Sequence, residues 1–180
     1  TLTVDGNVSL GRVLTNNGTV TWVSGQFAIG NGTVDNNGSF TAQPDNTFAN
    51  AGGTNAVNNN AAGTFTRNTG TGNLDANVPF TNAGTLTVST GTFRFFGGGG
   101  STGTINVPSA TLTFGNSYDV TAGTVTVGGT LNLQGGTVNM TPGTFTVTGT
   151  VHLLGSTFNL NKASAAATWN QSGGTLAGSG

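Results

Sequence analysis

The amino-acid sequence predicts an all-β protein, a triangular β-solenoid of about nine coils that occupies residues 1–180 as one domain. Three observations carry this prediction. The sequence has a period of about twenty residues that begins with Gly-Thr, and each period contains three short alternating segments. Apolar residues are only 34% of the chain, but they recur at fixed positions of these segments. A narrow solenoid core needs only a few apolar side chains in each coil.

The period is clearest in two consecutive copies, residues 123–142 and 143–162, which align without a gap. The first copy contains alternating segments at residues 125–127, 131–133 and 138–140. Apolar residues at every second position are typical of a strand with one buried face. Each copy is therefore predicted to form three strands separated by three tight corners.

Aligned coils start at the same glycine, with spacings of 20, 25, 21, 19, 20 and 20 residues. These starts are Gly18, Gly38, Gly63, Gly84, Gly103, Gly123 and Gly143. The coil over residues 38–62 carries about five extra residues, which we predict to form a loop within residues 43–60. A corner can grow in this way without disturbing the neighbouring strands.

The two ends of the sequence are predicted to continue the repeat when the last residues are placed before the first. Placed tail to head, residues 174–180 and 1–4 read GTLAGSG–TLTV, which restores the Gly-Thr start and keeps the period. Neither end resembles a cap, and open strand edges template association. We therefore expect one unit of a tandem array or a subunit that stacks end to end. The candidate stacking interface consists of Thr1, Leu2, Thr3, Val4, Thr175, Leu176 and Ala177.

Residues at the same phase of successive coils should form columns, because such coils stack about 4.8 Å apart. Two columns are predicted to point inward: Leu2, Val20, Phe40, Phe65, Leu86, Ile105, Val125 and Phe145, and Val4, Trp22, Ala42, Arg67, Val88, Val107, Val127 and Val147. Arg67 is the exception, and we expect it to turn outward on a locally distorted strand; a buried, paired arginine is the alternative. Phe93, Phe95 and Trp169 are predicted to be core residues, with Arg94 exposed.

Threonine occupies outward positions of the first strand in almost every coil. The candidate threonine face consists of Thr19, Thr21, Thr64, Thr66, Thr85, Thr87, Thr124, Thr126, Thr144 and Thr146. Threonine is β-branched and suits an exposed strand, so the first interpretation is purely structural. The alternative is a regular array of hydroxyl and methyl groups that orders water, as in β-solenoid ice-binding proteins.

Asparagine recurs just before the repeat glycine, in Asn16-Asn17, in Asn36-Asn37 and at Asn82. Asparagine tolerates left-handed backbone and its amide can bond along a stack. These residues are predicted to form partial ladders at one corner of the solenoid.

The residues that catalysis, metal binding or charged partners would need are scarce. The chain contains no Glu, and its five aspartates fall in different coils and phases, so no catalytic carboxylate pair is predicted. With 5% charged residues and a net charge of −1, nucleic acid is not an expected partner. The absence of cysteine excludes disulfides and thiolate metal sites. We expect no enzyme activity, no cofactor, no metal and no membrane span in this segment.

The phrases TNNGTVTW, NAGTLTVSTGTF, GTVTVGGTLNLQGGTVNM and SGGTLAGSG–TLTV resemble the long-period β-strand repeats of very large bacterial surface and secreted proteins. This class includes filamentous-haemagglutinin-like adhesins and autotransporter passenger domains, and the similarity covers essentially the whole chain. The resemblance implies a right-handed parallel β-helix outside the cell. It also implies a mechanical role as a rod, stalk or fibre-forming unit, with no catalytic residues to carry over.

We therefore expect a structural extracellular rod, filament or adhesin-stalk unit that associates with itself head to tail. Two alternatives come from other classes. One is an ice-binding protein that uses the threonine face. The other is an adhesin that binds a surface carbohydrate through exposed aromatic residues, such as Trp169 or those of residues 93–96, or through the long coil at residues 38–62.

Overall fold

The computed structural model describes residues 1–141, 143–162 and 166–179. These residues form a parallel β-solenoid of about nine turns, with three parallel sheets and no helix. The predicted fold class is confirmed. The right-handed winding stays a prediction, in line with the strong preference of parallel connections for that hand. Gly180, part of the predicted tail-to-head junction, lies outside the described residues.

Each sheet takes one strand from successive coils; among the described residues, the second and third sheets have nine strands and the first has eight, with none in the last coil. The first sheet contains β1 (Leu2–Val4), β4 (Thr19–Trp22), β7 (Ser39–Ala42), β10 (Thr64–Arg67), β13 (Thr85–Val88), β16 (Thr104–Val107), β19 (Thr124–Val127) and β22 (Thr144–Val147). The second contains β2 (Val8–Leu10), β5 (Phe27–Ile29), β8 (Thr47–Asn50), β11 (Asn73–Ala76), β14 (Thr92–Phe95), β17 (Thr111–Phe114), β20 (Thr130–Leu133), β23 (Thr150–Leu153) and β25 (Thr168–Gln171). The third contains β3 (Val13–Asn16), β6 (Thr33–Asn36), β9 (Ala56–Asn59), β12 (Phe80–Asn82), β15 (Gly99–Ser101), β18 (Tyr118–Val120), β21 (Thr137–Met140), β24 (Thr157–Leu160) and β26 (Thr175–Ala177).

The core is a narrow apolar column enclosed by the three sheets. Both predicted inward columns are buried, except that Leu2 is 40% exposed because β1 has a neighbouring strand on one side only. Aromatic rings form a continuous chain with centroids 4.6 to 6.1 Å apart. Its members are Trp22, Phe27, Phe48, Phe40, Phe65, Phe80, Phe93, Phe95, Phe114 and Tyr118. Large rings in direct contact give a thin core much of its apolar burial.

The Gly-Thr period has a steric cause at the corner that leads from the third sheet back to the first. An ideal Cβ on Gly38, Gly84 or Gly103 would lie 2.2, 2.2 or 2.1 Å from the carbonyl oxygen of the repeat glycine one coil earlier. None of these three glycines has a positive φ. The close approach of consecutive coils, rather than a left-handed backbone, therefore requires glycine here.

Gly103→Ala is expected to lower the free energy of unfolding by about 2–3 kcal/mol, because the added methyl group forces two coils apart. Gly18→Ala is the matched control: it occupies the same corner of the first coil, and its Cβ would have no atom within 4 Å. That change should be neutral or stabilise by up to about 1 kcal/mol, through the entropy of the unfolded chain. Urea unfolding midpoints measure both, and equal losses would contradict the steric explanation.

The long coil at residues 38–62 differs from the prediction. The five extra residues do not form a single loop within residues 43–60, a range that also contains β8 and β9. The extra residues are instead distributed over all three corners, at residues 43–46, 51–55 and 60–63. The first sheet keeps its register across this coil, with Phe65 opposite Phe40. Short corners on every side thus absorb the insertion without interrupting a sheet.

Arg67 also differs from the prediction. The expected outward turn is wrong: the side chain points inward and is 0% exposed, and β10 stays in register with β13. The guanidinium Nη1 donates to the carbonyl oxygen of Pro44 at 2.8 Å, and Nη2 donates to Asp45 Oδ1 at 2.5 Å and to the carbonyl oxygen of Gly72 at 3.0 Å. The strand needs no distortion, because neighbouring corners supply the counter-charge and the acceptors.

Candidate functional surfaces

The threonine face is the outward side of the first sheet. Its strands pair in register, so the threonines form two rows along the solenoid, each with one member that is not threonine. One row consists of Thr19, Ser39, Thr64, Thr85, Thr104, Thr124 and Thr144, and the other of Thr3, Thr21, Thr41, Thr66, Thr87, Asn106, Thr126 and Thr146. The long coil does not shift either row. All ten predicted face residues therefore lie together.

The chemistry of this face is uniform except at Ser39, which lacks the methyl group, and at Asn106, which has an amide instead of a hydroxyl. The two rows contain no charged side chain, and members of each row repeat about every 4.8 Å along the solenoid axis. Among these hydroxyls, the described structure contains one intramolecular donor bond, from Thr64 Oγ1 to the Gly38 carbonyl oxygen at 3.5 Å. The face thus offers regularly spaced hydroxyl and methyl groups, and solvent or a flat partner surface can contact them.

The residues of the candidate stacking interface lie at opposite ends of the solenoid. Thr1, Leu2 and Thr3 are exposed at the edge of the first sheet, where Val4 is already buried. Thr175 and Leu176 are exposed in β26, the last strand of the third sheet, and Ala177 beside them is partly buried. A head-to-tail contact needs this separation, because one end of a unit must meet the other end of its neighbour.

The predicted asparagine ladder is confirmed and runs inside the solenoid. The side-chain Nδ2 of Asn16 donates to Asn36 Oδ1 at 2.6 Å, Asn36 donates to Asn59 Oδ1 at 2.7 Å, and Asn59 donates to Asn82 Oδ1 at 2.7 Å. Asn82 continues the ladder to Ser101 Oγ at 3.1 Å. Sequence analysis missed Asn59, because the lengthened corner of its coil separates it from the repeat glycine. From the next coil onward the column is apolar, with Val120 and Met140 buried.

A surface ion pair on the second sheet was also missed. Arg94 Nε and Nη2 donate to the two carboxylate oxygens of Asp75, at 2.6 and 2.7 Å. The guanidinium carbon lies 5.0 Å from the centroid of the Phe96 ring, within cation–π distance. Asp75 and Arg94 face each other in consecutive coils. Their separation by about one period was the signal that could have revealed the pair.

The Asp45–Arg67 pair predicts a pH dependence. The hydrogen bond from Arg67 is the main reason that the pKa of Asp45 lies below its ordinary value of 3.8. A carboxyl group whose pKa is lowered in the folded state stabilises the protein above its unfolded pKa, and this stability is lost as the pH falls through the folded pKa. We expect the urea midpoint to stay constant from neutral pH down to about pH 4 and to decrease at lower pH. The variant that carries both Arg67→Met and Asp45→Asn should show a smaller fall.

Other polar groups do not converge on one site. Among the described residues, no group of three or more His, Cys, Asp or Glu side chains could hold a metal ion. Asp35 and Asp119 occupy the same outward column of the third sheet, but Asn58, Thr81 and Gly100 lie between them. In the described part of the chain, no helix is long and apolar enough to cross a membrane.

Most of the aromatic residues considered for carbohydrate binding are buried or packed against other side chains. Phe93 and Phe95 are buried as predicted. Trp169 is partly buried, and its ring stacks on Phe158 at 6.1 Å between centroids.

Comparison of this chain with protein-family models, with curated proteins and with solved structures finds no match in any of the three.

Proposed function

We propose that this chain is a structural unit of an extracellular rod, filament or adhesin stalk on a bacterial surface, and that such units join end to end. The observation that carries the proposal is the apolar surface at the two strand edges that end the solenoid. Leu2 and Val13 are 40% and 56% exposed on the edge strands β1 and β3 at one end of the solenoid, and Leu176 is 48% exposed on β26 at the other end. Strand edges with exposed apolar residues favour pairing with another edge.

The internal structure suits a mechanical role. Hydrogen bonds between coils run along the solenoid axis in all three sheets. The buried aromatic chain and the asparagine ladder add side-chain contacts in the same direction. Bending or stretching the solenoid therefore strains many contacts at once. Because charged residues are scarce, few ion pairs contribute whose strength depends on the salt concentration. The bacterial surface location follows from the sequence resemblance.

Electron microscopy of the purified protein at increasing concentration tests this function. We expect fibres with an axial repeat near nine coil spacings, about 43 Å. Leu2→Lys together with Val13→Lys places charges on two edge strands at one end of the solenoid and should abolish the fibres. Val23→Lys is the control, because Val23 is 38% exposed but lies at a corner of the second coil, outside the edge strands β1, β2 and β3. Short isolated rods from the unmodified protein at every concentration would refute end-to-end joining.

Ice binding is the second candidate function, favoured by the uninterrupted register and the absence of charge in the two threonine rows. Thr87→Tyr and Thr126→Tyr should then abolish inhibition of ice recrystallisation without lowering the unfolding midpoint. Thr92→Tyr, on the second sheet, is the control and should have no effect. If the unmodified protein leaves ice recrystallisation unchanged, this function is excluded.

A further inference from the structure

A column of polar side chains on the outward face of the third sheet contains one gap. Strand register places Asp35, Asn58, Thr81, Gly100, Asp119, Asn139 and Asn159 at the same position of successive coils. The side chains before Gly100 form one hydrogen-bonded ladder, and those after it form another. Gly100 has no side chain with which to join them.

Carboxylates determine the direction of hydrogen bonding in both ladders, because an ionised carboxylate can only accept. Asn58 Nδ2 donates to Asp35 Oδ1 at 2.8 Å, so Asn58 Oδ1 must accept from Thr81 Oγ1, also at 2.8 Å. The single hydroxyl hydrogen of Thr81 is thus already used. Only its lone pairs remain for a group on the other side, towards Gly100.

The second ladder has the same direction. Asn139 Nδ2 donates to Asp119 Oδ1 at 2.6 Å, and Asn159 Nδ2 donates to Asn139 Oδ1 at 2.6 Å. Asp119 therefore has a second carboxylate oxygen that this ladder does not use. Both sides of the gap at Gly100 present hydrogen-bond acceptors, and one side carries a negative charge.

The gap is a surface notch of roughly 330 Å³, which we call the Gly100 notch; its rim includes Thr81, Thr102, Asp119 and Thr121. Its floor is the backbone of β15, where Gly100 accepts a hydrogen bond from the buried Tyr118 hydroxyl at 3.1 Å. A Cβ on Gly100 would lie 2.9 Å from the Asp119 carbonyl oxygen. A side chain at position 100 therefore does not fit on the present backbone, and a group that occupies the notch has to come from elsewhere.

We propose that the Gly100 notch binds a primary ammonium group. An ammonium carries three donors, no acceptor and a positive charge, which complements acceptor walls that include a carboxylate. A hydroxyl offers one donor and no charge. Calcium prefers six to eight oxygen ligands, whereas the notch contains one carboxylate.

This ammonium has two sources. Lys162, the one lysine of the sequence, is exposed at the corner that follows β24, a strand of the third sheet. Thr102 and Thr121 of the notch lie at the same corner of other coils. A neighbouring copy that packs side by side can therefore supply the lysine. A soluble amine, such as an amino sugar, is the other source.

The test is a titration of the full chain at neutral pH and low salt, followed by the amide NMR signals of Gly99, Gly100 and Ser101. Methylammonium chloride is the probe, methanol is the neutral molecule of similar size, and sodium chloride controls for ionic strength. We expect saturable shifts with methylammonium alone. Asp119→Asn keeps the acceptor for Asn139 but removes the charge, and should weaken binding by about tenfold or more. Asp5→Asn removes an exposed carboxylate elsewhere and should not.

Three results would overturn the proposal: no saturable shift in the unmodified protein, equal shifts with methanol, or unchanged binding in Asp119→Asn. The variant Lys162→Gln distinguishes the two sources. If lysine from a neighbouring copy occupies the notch, the signals of the unmodified protein shift with protein concentration, and those of Lys162→Gln do not. If a soluble amine is the ligand, both proteins respond identically to methylammonium at every concentration.

Discussion

Asp45→Asn is expected to lower the free energy of unfolding by about 2–3 kcal/mol, because it leaves the buried guanidinium of Arg67 without a counter-charge. Arg67 is completely buried, whereas the Asp45 side chain is 41% exposed. Water therefore offsets part of the loss, and the expected effect lies below that of breaking a fully buried pair. Arg67 Nε already lacks a hydrogen-bond partner, so this site has little capacity to compensate. Urea unfolding with an unchanged m-value measures the effect.

The double variant Arg67→Met with Asp45→Asn provides the control. Methionine is long enough to fill much of the same space, and it returns the position to the apolar column that continues to Val88. Replacing a buried ion pair by apolar side chains of similar volume is often neutral or stabilising. The double variant should therefore recover most of the stability lost in Asp45→Asn. If both proteins are equally destabilised, the unpaired charge is not the cause.

Arg67 illustrates which parts of this fold can be predicted from the sequence. The period assigns each residue to a column, and the column correctly places position 67 inside the solenoid. The partner of Arg67 lies in a corner, and corner lengths vary from coil to coil, so the period does not place it. For the same reason the five extra residues of the long coil could be counted, but their distribution over three corners could not be predicted.

The candidate surfaces could also be predicted only in part from the sequence. The threonine rows follow directly from strand alternation, and their register across the long coil holds because that coil lengthens at its corners. The gap at Gly100 was not predicted. In the sequence it is part of a glycine run, residues 97–100, that is typical of a flexible corner, whereas β15 includes Gly99 and Gly100. Strand pairing with β12 and β18 orders this segment, but a run of glycines lacks the alternating apolar residues by which the other strands were recognised.

Asn59→Leu is expected to lower the free energy of unfolding by about 4 kcal/mol, since each buried polar group left without a partner costs about 1–3 kcal/mol. Asn59 is 1% exposed and lies in the middle of the buried ladder. Its Nδ2 donates to Asn82 Oδ1 at 2.7 Å and to the Thr85 carbonyl oxygen at 3.0 Å, and its Oδ1 accepts from Asn36 at 2.7 Å. Leucine replaces none of these three bonds, although Leu160 occupies the same column in a later coil. Asn82 Oδ1 and the Thr85 carbonyl oxygen lose this donor, whereas Asn36 Nδ2 keeps its bond to the Thr64 carbonyl oxygen at 3.0 Å.

Ser101→Val is the control, because Ser101 is the last polar member of this column and Val120 follows it in the next coil. Valine there extends the apolar part of the column by one coil. It removes the acceptor of one bond from Asn82 Nδ2, which still donates to the Thr104 carbonyl oxygen at 3.0 Å. It also removes the hydroxyl that donates to the Asn82 carbonyl oxygen at 3.1 Å, but that oxygen still accepts from the Thr102 amide at 2.9 Å. The expected loss is about 1 kcal/mol. Urea midpoints that fall equally in the two variants would mean that the ladder tolerates an interruption at its centre as readily as at its end. The asparagines would then act as individual corner residues rather than as one connected ladder.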